Sequence, residues 1–241
     1  MVFAAGLGTR LRPLTDSMPK ALVPVGGKPL LWHVLRRLEA SGYGDIVVNV
    51  HHFGEQIIDY LRGNEEFKGL NVSVSDERSA LLDTGGGLLH AEPLLKGCGK
   101  FLVHNVDILS NADLDAMWQG ARPDALATLL VSDRPTSRYL LFDDDMRLRG
   151  WTNVTTGEVR GPEGDLPDPS RCIAMAFSGI HVISDEIFPL FREYGLGGAF
   201  PIMDFYIRAC GRYPIYGVVQ PGLKLLDVGK TASLVEAEKF I

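Results

Sequence analysis

Apolar and polar residues alternate along the first 131 positions in a pattern that predicts strands and helices in turn. Short apolar runs indicate buried strands, and apolar residues at helical spacing indicate helices with one buried face. The strands are predicted at residues 2–5, 45–50, 70–75, 101–104 and 125–131, and the helices at residues 30–41, 54–62, 88–95 and 114–121. Strands and helices that alternate through short loops are typical of a doubly wound, mostly parallel α/β sheet with right-handed crossovers.

The pattern changes after residue 131, where strands and helices no longer alternate. Two strands are predicted within residues 139–153 around an acidic turn at 143–145, followed by a loop at 161–170 that is rich in proline, glycine and acidic residues. Further strands are predicted at residues 174–183, 213–219 and 224–228, and helices at residues 184–194, 201–210 and 231–241. This part of the chain is therefore predicted to form a smaller, mixed subdomain over the same sheet.

The composition is that of a globular protein whose partners are not polyanions. Hydrophobic residues make up 46% of the chain and charged residues 22%, which suits a single core without disulfides. The formal net charge of −6 argues against a nucleic-acid or anionic-membrane partner, since both reward a surplus of basic residues. No apolar stretch approaches the roughly 18 to 20 residues that span a bilayer. With no secretory leader evident at the N-terminus, we expect a cytoplasmic protein.

The predicted topology by itself indicates where a ligand would bind. Parallel sheets of this kind bind ligands in the crevice beyond the carboxyl ends of their strands. The loops with the most polar and glycine-rich sequences follow Ala5, Ser75 and His104, each at the end of a predicted strand. We therefore expect one site at the edge of the sheet where these loops meet.

The loop after the first strand carries the strongest chemical signal. Gly6 and Gly8 permit close approaches that a Cβ atom would block, so their N–H groups can converge on phosphate oxygens. Thr9 adds a hydroxyl donor, Arg10 a rigid forked cation and Lys20 a mobile point charge. Few assemblies of donors suit a triphosphate better.

Two common phosphate-binding motifs do not fit this loop. It is not a P-loop, because no Gly-Lys-Ser/Thr follows at the required spacing. It is not the dinucleotide fingerprint either, because the third glycine is absent and the second predicted strand runs into Asn49 rather than an acidic residue. A nicotinamide-dependent dehydrogenase is therefore set aside.

The complete run GLGTRLRPLTDSMPKALVPVGGKPLL, residues 6–31, resembles the nucleotide-binding signature of the sugar-1-phosphate nucleotidyltransferases. That signature is Gly-x-Gly-Thr-Arg followed by Pro-Lys. Later segments resemble further motifs of the family in the same order. They are a glycine-rich base-binding segment at residues 82–87, an Asn-x-Asp metal-binding segment at 105–107, a sugar-side strand at 177–180 and a second metal-binding Asp within 226–229. The resemblance covers nearly the full chain.

The resemblance implies a Rossmann-like, nucleotide-diphospho-sugar transferase fold in a single domain over residues 1–241. Residues 1–131 would form the nucleotide-binding half, and residues 132–241 the acceptor-binding half with a closing helix. Asp107 and Asp227 would hold Mg²⁺, the implied cofactor, and each ends a predicted strand. Nucleotide contacts are expected from Ala4, Ala5, Gly6, Gly8, Thr9, Arg10, Lys20, Gly85, Gly86 and Asn105. Arg10 and Lys20 would be the catalytic residues, with Arg10 bracing the α- and β-phosphates and Lys20 contacting the α-phosphate. Acceptor contacts are expected from Asn153, Gly179, Asp204 and Lys224.

The implied reaction transfers a nucleoside monophosphate from an NTP to a sugar 1-phosphate and releases pyrophosphate. The short chain and its Asp-Thr-Gly-Gly-Gly segment resemble the small N-acetylmuramate-1-phosphate uridylyltransferases of cell-wall sugar metabolism. This favours UTP and N-acetylmuramate 1-phosphate as substrates. The protein is expected to be a monomer or a small homo-oligomer. Val106 in place of the family's usual glycine, and a long segment at residues 143–171, leave other substrates open. These are guanylyl or cytidylyl transfer to heptose or mannose 1-phosphate or phosphocholine.

A different class of function is a catalytically silent nucleotide-binding module. Loss of the loop cation or of a metal-binding Asp would favour it, but the cationic and acidic residues of the implied site are all present.

Overall fold

A ten-stranded sheet forms the centre of the computed structural model, which describes residues 1–241. The strands are β1 (Val2–Phe3), β2 (Pro24–Val25), β3 (Lys28–Pro29), β4 (Asp45–Val50), β5 (Asn71–Asp76), β6 (Lys100–Asn105), β7 (Ile108–Ser110), β8 (Ala127–Ser132), β9 (Arg138–Phe142), β10 (Leu148–Asn153), β11 (Glu158–Arg160), β12 (Ile173–Ser184), β13 (Ile215–Val219) and β14 (Leu225–Asp227). The α-helices are α1 (Leu30–Ala40), α2 (Gly54–Gly63), α3 (Asp83–His90), α4 (Glu92–Leu95), α5 (Leu114–Gly120), α6 (Ile187–Glu193), α7 (Ile202–Ala209) and α8 (Thr231–Phe240).

The sheet runs in the order β11-β10-β9-β12-β6-β1-β4-β5, and β12 also pairs with β8, which pairs with β13. The block β6-β1-β4-β5 is parallel, as is the pair β8-β13. The long strand β12 is antiparallel to both β6 and β8, so those two strands share a direction. The carboxyl ends of β1, β4, β5, β6, β8 and β13 consequently lie at the same edge of the sheet. Strands β9, β10 and β11 add the smaller antiparallel part.

Helices cover both faces of the sheet, which confirms the doubly wound fold. On β4, Val48 packs in a core with α1, α2, α5 and α8, whereas its neighbour Val47 packs in a second core with α3, α6 and α7. Successive residues of a strand point to opposite faces, so a run of apolar residues is required when both faces are covered. That is why β4 reads as a nearly continuous apolar segment. None of the helices has the length and apolar character needed to cross a membrane.

The structure differs from the sequence-based expectation at the first strand and at the glycine-rich segment. β1 ends at Phe3 rather than at residue 5, because the N–H groups of Ala4 and Ala5 donate to the Asn49 side chain instead of a neighbouring strand. Helix α3 begins at Asp83, so the glycines of residues 85–87 lie inside a helix and not in a loop before one. The helix expected at residues 88–95 is divided, with α3 ending at His90 and α4 following it.

Four short strands were not expected: β2 and β3, which pair with each other, and β7 and β11. The segment at 158–160 forms β11 at the edge of the antiparallel part, paired with β10. Residues 108–110 form β7, which pairs in antiparallel fashion with β14, a strand predicted from the sequence at nearly the same position. This pairing joins parts of the chain that are more than one hundred residues apart.

Candidate active site

A cleft of about 540 Å³ opens at the carboxyl edge of the parallel strands. Its walls come from the loop after β1, from the ends of β4, β5 and β6, and from two segments of the second half of the chain. The lining residues include Phe3 to Arg10, Lys20, Asn49, Glu77, Leu81, Asp83, Thr84, Asn105, Val106, Asp107, Ala199 and Gly229. The position at the carboxyl edge agrees with the sequence-based expectation.

The loop after β1 presents free backbone donors to the cleft. The N–H groups of Gly6, Leu7 and Gly8 donate to no protein acceptor. Gly8 has a φ of 65°, and a Cβ there would lie 2.9 Å from a methyl group of Thr15, so glycine is required. The Thr15 hydroxyl donates to the Gly8 carbonyl at 2.8 Å and fixes the turn. Unpaired N–H groups in a fixed turn are a suitable site for an anion.

Arg10 is an exposed cation that makes no ion pair. Its guanidinium lies against Gly229, just after β14, and a Cβ atom on Gly229 would be 2.5 Å from Arg10 Nη2 and 2.6 Å from Asp227 Oδ1. The missing side chain at Gly229 therefore makes room for both charged groups. An unpaired guanidinium at the wall of a cleft is free to bind phosphate.

Lys20 is the second cation of the cleft and is only 8% exposed. Its Nζ forms an ion pair with Asp107 Oδ2, which brings together two residues that are 87 positions apart. A lysine held by a single carboxylate retains two further N–H donors for a ligand.

The carboxylates of Asp107 and Asp227 come from adjoining strands. The Val228 N–H donates to the Asp107 carbonyl at 2.8 Å, and Ile108 is the register partner of Asp227 in the β7–β14 pair. No cluster of three or more His, Cys, Asp or Glu residues forms a potential metal site. A pair of carboxylates beside a phosphate-binding loop nevertheless fits Mg²⁺, which is commonly held by one or two carboxylates together with substrate phosphates.

Ala4 and Ala5 line the cleft, but their N–H groups are not available to a nucleotide. Both donate to Asn49 Oδ1, at 2.7 and 3.3 Å. The Asn49 Nδ2 group donates in turn to Glu77 Oε1 at 2.8 Å. The sequence analysis gave neither Asn49 nor Glu77 a role in the site. The signal for Asn49 was a single amide side chain in an otherwise apolar, buried strand.

The expectation for Gly85 and Gly86 is wrong in its geometry. Both are buried in α3, and both N–H groups donate to the Phe200 carbonyl, at 2.8 and 3.2 Å. Their amides are therefore not free to recognise a base edge. A Cβ atom on either would collide with the segment before α7, with Phe200 or with Gly198, so these glycines allow close packing of α3. From this segment it is Leu81, Asp83 and Thr84 that line the cleft.

The four residues expected to bind the acceptor do not gather at the cleft. Asn153 accepts from the Thr155 N–H in a turn, and Asp204 forms an ion pair with Arg160 at 2.8 Å. Lys224 is exposed at the end of β14 that lies away from Asp227. Only Gly179 adjoins a lining residue: with a φ of 75°, it allows β12 to approach Asn105, whose Nδ2 would be 2.9 Å from a Cβ there. Asn105 itself lines the cleft as expected.

Sequence comparison identifies the family. The sequence model of the nucleotidyl transferase family matches residues 1–143. The chain belongs to the nucleotidyl transferase family. The matched segment contains the loop after β1, Lys20, the Asn49–Glu77 pair and Asp107, so most of the cleft lies within it.

Full-length relatives and a solved structure support the assignment. An N-acetylmuramate alpha-1-phosphate uridylyltransferase of Caulobacter vibrioides is 36% identical over 250 residues, covering 99% of this chain and 94% of the relative. The protein of the same name from Neisseria meningitidis serogroup B is 36% identical over 242 residues, covering 99% and 96%. HddC from Yersinia pseudotuberculosis, solved in complex with GMP-PN, superposes with a TM-score of 0.77 at 20% identity, covering 99% of this chain and 96% of that chain. The last comparison shows that the fold is shared.

Proposed function

We propose that the protein transfers UMP from UTP to a sugar 1-phosphate, with N-acetylmuramate 1-phosphate as the acceptor, and releases pyrophosphate. The observation that carries this proposal is the composition of the cleft. Free amides of residues 6–8, an unpaired Arg10, Lys20 and Asp107 line one cavity. The Asp227 carboxylate lies beside Gly229, which also lines that cavity. Donors for phosphates and ligands for a divalent cation are thus combined where two anionic substrates must meet.

The reaction forms a bond between a phosphate oxygen of the acceptor and the α-phosphorus of UTP, and it breaks the bond from that phosphorus to the pyrophosphate oxygen. Both substrates are anions, so the protein must reduce their repulsion and align them. No protein nucleophile is needed, because an ionised phosphate oxygen attacks directly. Arg10 and the loop amides bind the phosphates of UTP and stabilise the charge that moves to the departing pyrophosphate. Lys20 contacts the α-phosphate and lowers the repulsion of the incoming oxygen.

Mg²⁺ is the cofactor that the donor set fits, with Asp107 and Asp227 as its protein ligands. The ion supplies charge neutralisation at the phosphates when it is bound. Lys20 pairs with Asp107, so Mg²⁺ would compete with Lys20 for the Asp107 carboxylate.

The choice of substrates rests on the full-length relatives. Two proteins that are 36% identical to this chain over nearly their whole length are named N-acetylmuramate alpha-1-phosphate uridylyltransferases. Leu81, Asp83 and Thr84, which line the cleft at the beginning of α3, are the candidates for contacts with the base of UTP.

The test is pyrophosphate release from each of UTP, GTP, CTP, dTTP and ATP, with Mg²⁺ and a panel of acceptors. The panel contains the 1-phosphates of N-acetylmuramate, N-acetylglucosamine, glucose, mannose and heptose, with phosphocholine, and the product is identified by mass. We expect release that requires both UTP and N-acetylmuramate 1-phosphate. Activity with another NTP and acceptor would replace the proposed substrates with that pair. If the folded protein released no pyrophosphate with any combination in the panel, the proposed reaction would be refuted.

A matched pair of variants separates the cleft from general effects of charge. Arg10→Ala removes the unpaired cation of the cleft, and we expect turnover to fall by about 100-fold or more, the size of loss seen when one donor to a transition-state oxyanion is removed. Arg12→Ala removes a neighbouring exposed arginine that pairs with Asp16 at 3.3 Å and does not line the cleft. It should leave turnover unchanged.

A further inference from the structure

A buried carboxyl group below the cleft has no role in the reaction just described. Glu77 follows β5 and is 1% exposed, yet it lines the cleft. Its Oε1 accepts from Asn49 Nδ2 at 2.8 Å, whereas its Oε2 has no partner within the protein. Burial raises the pKa of Glu77 above its ordinary value. A buried, partly unsatisfied carboxyl is costly and calls for a specific reason.

The backbone around Glu77 is fixed from two directions. The Glu77 N–H donates to the Val50 carbonyl at 2.8 Å, and His51 Nδ1 donates to the Glu77 carbonyl at 2.8 Å. Gly87 of α3 leaves room for the carboxyl group, since a Cβ atom there would lie 2.7 Å from Glu77 Oε1. The carboxyl group is therefore held in one place beside the side chain of Asn49.

The hydrogen bond from Asn49 to Glu77 determines which way the Asn49 amide faces. With Nδ2 donating to Glu77, Oδ1 is turned toward Ala4 and Ala5 and accepts from both N–H groups. If the amide were reversed, its NH₂ group would face two N–H donors and both interactions would be lost. The NH₂ group is the only donor of the Asn49 amide, so a carboxylate at Glu77 selects the orientation that holds the loop.

We propose that Glu77 and Asn49 are positioning residues that set the nucleotide-binding loop: Glu77 orients the Asn49 amide, and Asn49 anchors the chain at Ala4 and Ala5, directly before the free amides of residues 6–8. This inference rests on the proposed function, because it assigns the loop the role of binding the triphosphate. These hydrogen bonds, from Asn49 to Glu77 and from Ala4 and Ala5 to Asn49, are called the relay below. The relay connects the ends of three neighbouring strands, β1, β4 and β5. Its loss should loosen the amides that bind phosphate while leaving the acceptor side of the cleft in place.

The experiment compares Asn49→Ala, Glu77→Leu and Glu77→Gln with the wild-type protein. UTP affinity is measured by calorimetry in the presence of Mg²⁺, and KM is measured separately for UTP and for the acceptor. Asn49→Ala and Glu77→Leu should weaken UTP binding by about tenfold, the effect of losing one well-formed hydrogen-bonding interaction. KM for the acceptor should stay within about twofold, because the hydrogen bonds of Glu77 and Asn49 support only the loop after β1. Glu77→Gln keeps a carbonyl oxygen for Asn49 and should restore UTP affinity to near the wild-type value.

A buried hydrogen bond outside the cleft provides the matched control. The Tyr206 hydroxyl interacts with His181 Nδ1 at 3.0 Å, both residues are buried, and neither lines the cleft. Tyr206→Phe should lower the melting temperature without changing UTP affinity. If the relay had only a structural role, Asn49→Ala and Glu77→Leu would also lower the melting temperature without changing UTP affinity. That result would overturn the proposal.

Two further outcomes are decisive. If Asn49→Ala does not fold, the proposal is tested by comparing Glu77→Leu with Glu77→Gln, because both variants keep Asn49. Equal UTP affinity in these two variants would overturn the proposal. If the wild-type protein itself binds no UTP, the proposed function fails. If the wild type and every variant bind UTP with equal affinity, the positioning role of Glu77 and Asn49 is refuted, whereas the proposed function is not.

Discussion

Substitution of Gly229 by alanine offers a test of the position of Arg10 without removing Arg10. Gly229 is buried directly after Val228, and its backbone is not in the left-handed region that strains an alanine. The new Cβ atom would be 2.5 Å from Arg10 Nη2 and 2.6 Å from Asp227 Oδ1, whereas ordinary contacts begin at 3.4 Å. The guanidinium must therefore retreat by about 0.9 Å, and the Asp227 carboxylate by a similar distance.

The effect should be large on turnover and small on stability. A misplacement of about 1 Å at a catalytic group costs on the order of 100-fold in rate, which corresponds to about 2.7 kcal/mol of transition-state stabilisation. The atoms that must move are the ends of exposed side chains, so their displacement strains no packed core. The free energy of unfolding should change by less than about 1 kcal/mol.

The assay measures kcat and KM for the UTP-dependent reaction beside urea unfolding of the same preparation. Gly44→Ala is the control, because a Cβ atom there meets nothing within 4 Å and the residue lies outside the cleft. It should match the wild type in both measurements. Wild-type kcat/KM in Gly229→Ala would refute the reasoning, because it would mean that Arg10 does not act from its place beside Gly229. Unfolding of the variant would refute the claim that only side-chain ends must move.

Three further predictions concern packing, pH and the ion pair of the cleft. Gly85→Ala should destabilise the protein by about 1–3 kcal/mol in urea unfolding, because its Cβ would overlap the Phe200 ring and lie 2.9 Å from the Phe200 carbonyl oxygen; a stability equal to that of the wild type would contradict the packing of α3. Burial lowers the pKa of His181 from 6.5 to about 3, so below pH 6.5 the unfolded chain binds a proton that the folded chain does not. Stability should therefore fall as the pH falls, by about 2 kcal/mol from this residue between pH 7 and pH 5, and His181→Gln should show a correspondingly smaller fall in urea unfolding at the two pH values. Lys20→Met should increase the affinity of the nucleotide-free protein for Mn²⁺, measured by electron paramagnetic resonance, because it frees the carboxylate of Asp107; unchanged affinity would mean that the ion pair does not compete with the metal.

The parts of the fold that depend on local pattern could be predicted from the sequence. The parallel strands other than β1 and the helices α1, α2, α5 and α7 lie close to their predicted bounds, because their apolar residues alone determine which face is buried. The antiparallel hairpin around the acidic turn at 143–145 was predicted for the same reason. The β7–β14 pair could not be derived in this way, since each strand is three residues long and its partner lies over one hundred positions away.

Glycine was the residue type most easily misinterpreted. Glycines 85–87 suggest a flexible loop when only local preference is considered, because glycine is a poor helix former. Their actual requirement is tertiary: the backbone of α3 approaches Phe200 and Gly198 so closely that no side chain fits. Gly229 is a similar case, since its role depends on the guanidinium of a residue at the other end of the chain. A sequence alone does not distinguish a glycine needed for its backbone angle from one needed for space.

The sequence motif names the phosphate-binding groups, but the rest of the chain determines where they point. Residues 4–20 contain no regular strand or α-helix, only two short 3₁₀ turns before Lys20. Asn49 holds the beginning of this segment, Gly229 makes room for Arg10 and Asp107 pairs with Lys20. These three supports come from the ends of β4, β14 and β6, so the precision of the segment depends on the register of strands that the motif does not include. It follows that a change which shifts β14 against β7 should displace the Arg10 guanidinium as much as the carboxylates of Asp107 and Asp227, because both depend on the same pairing.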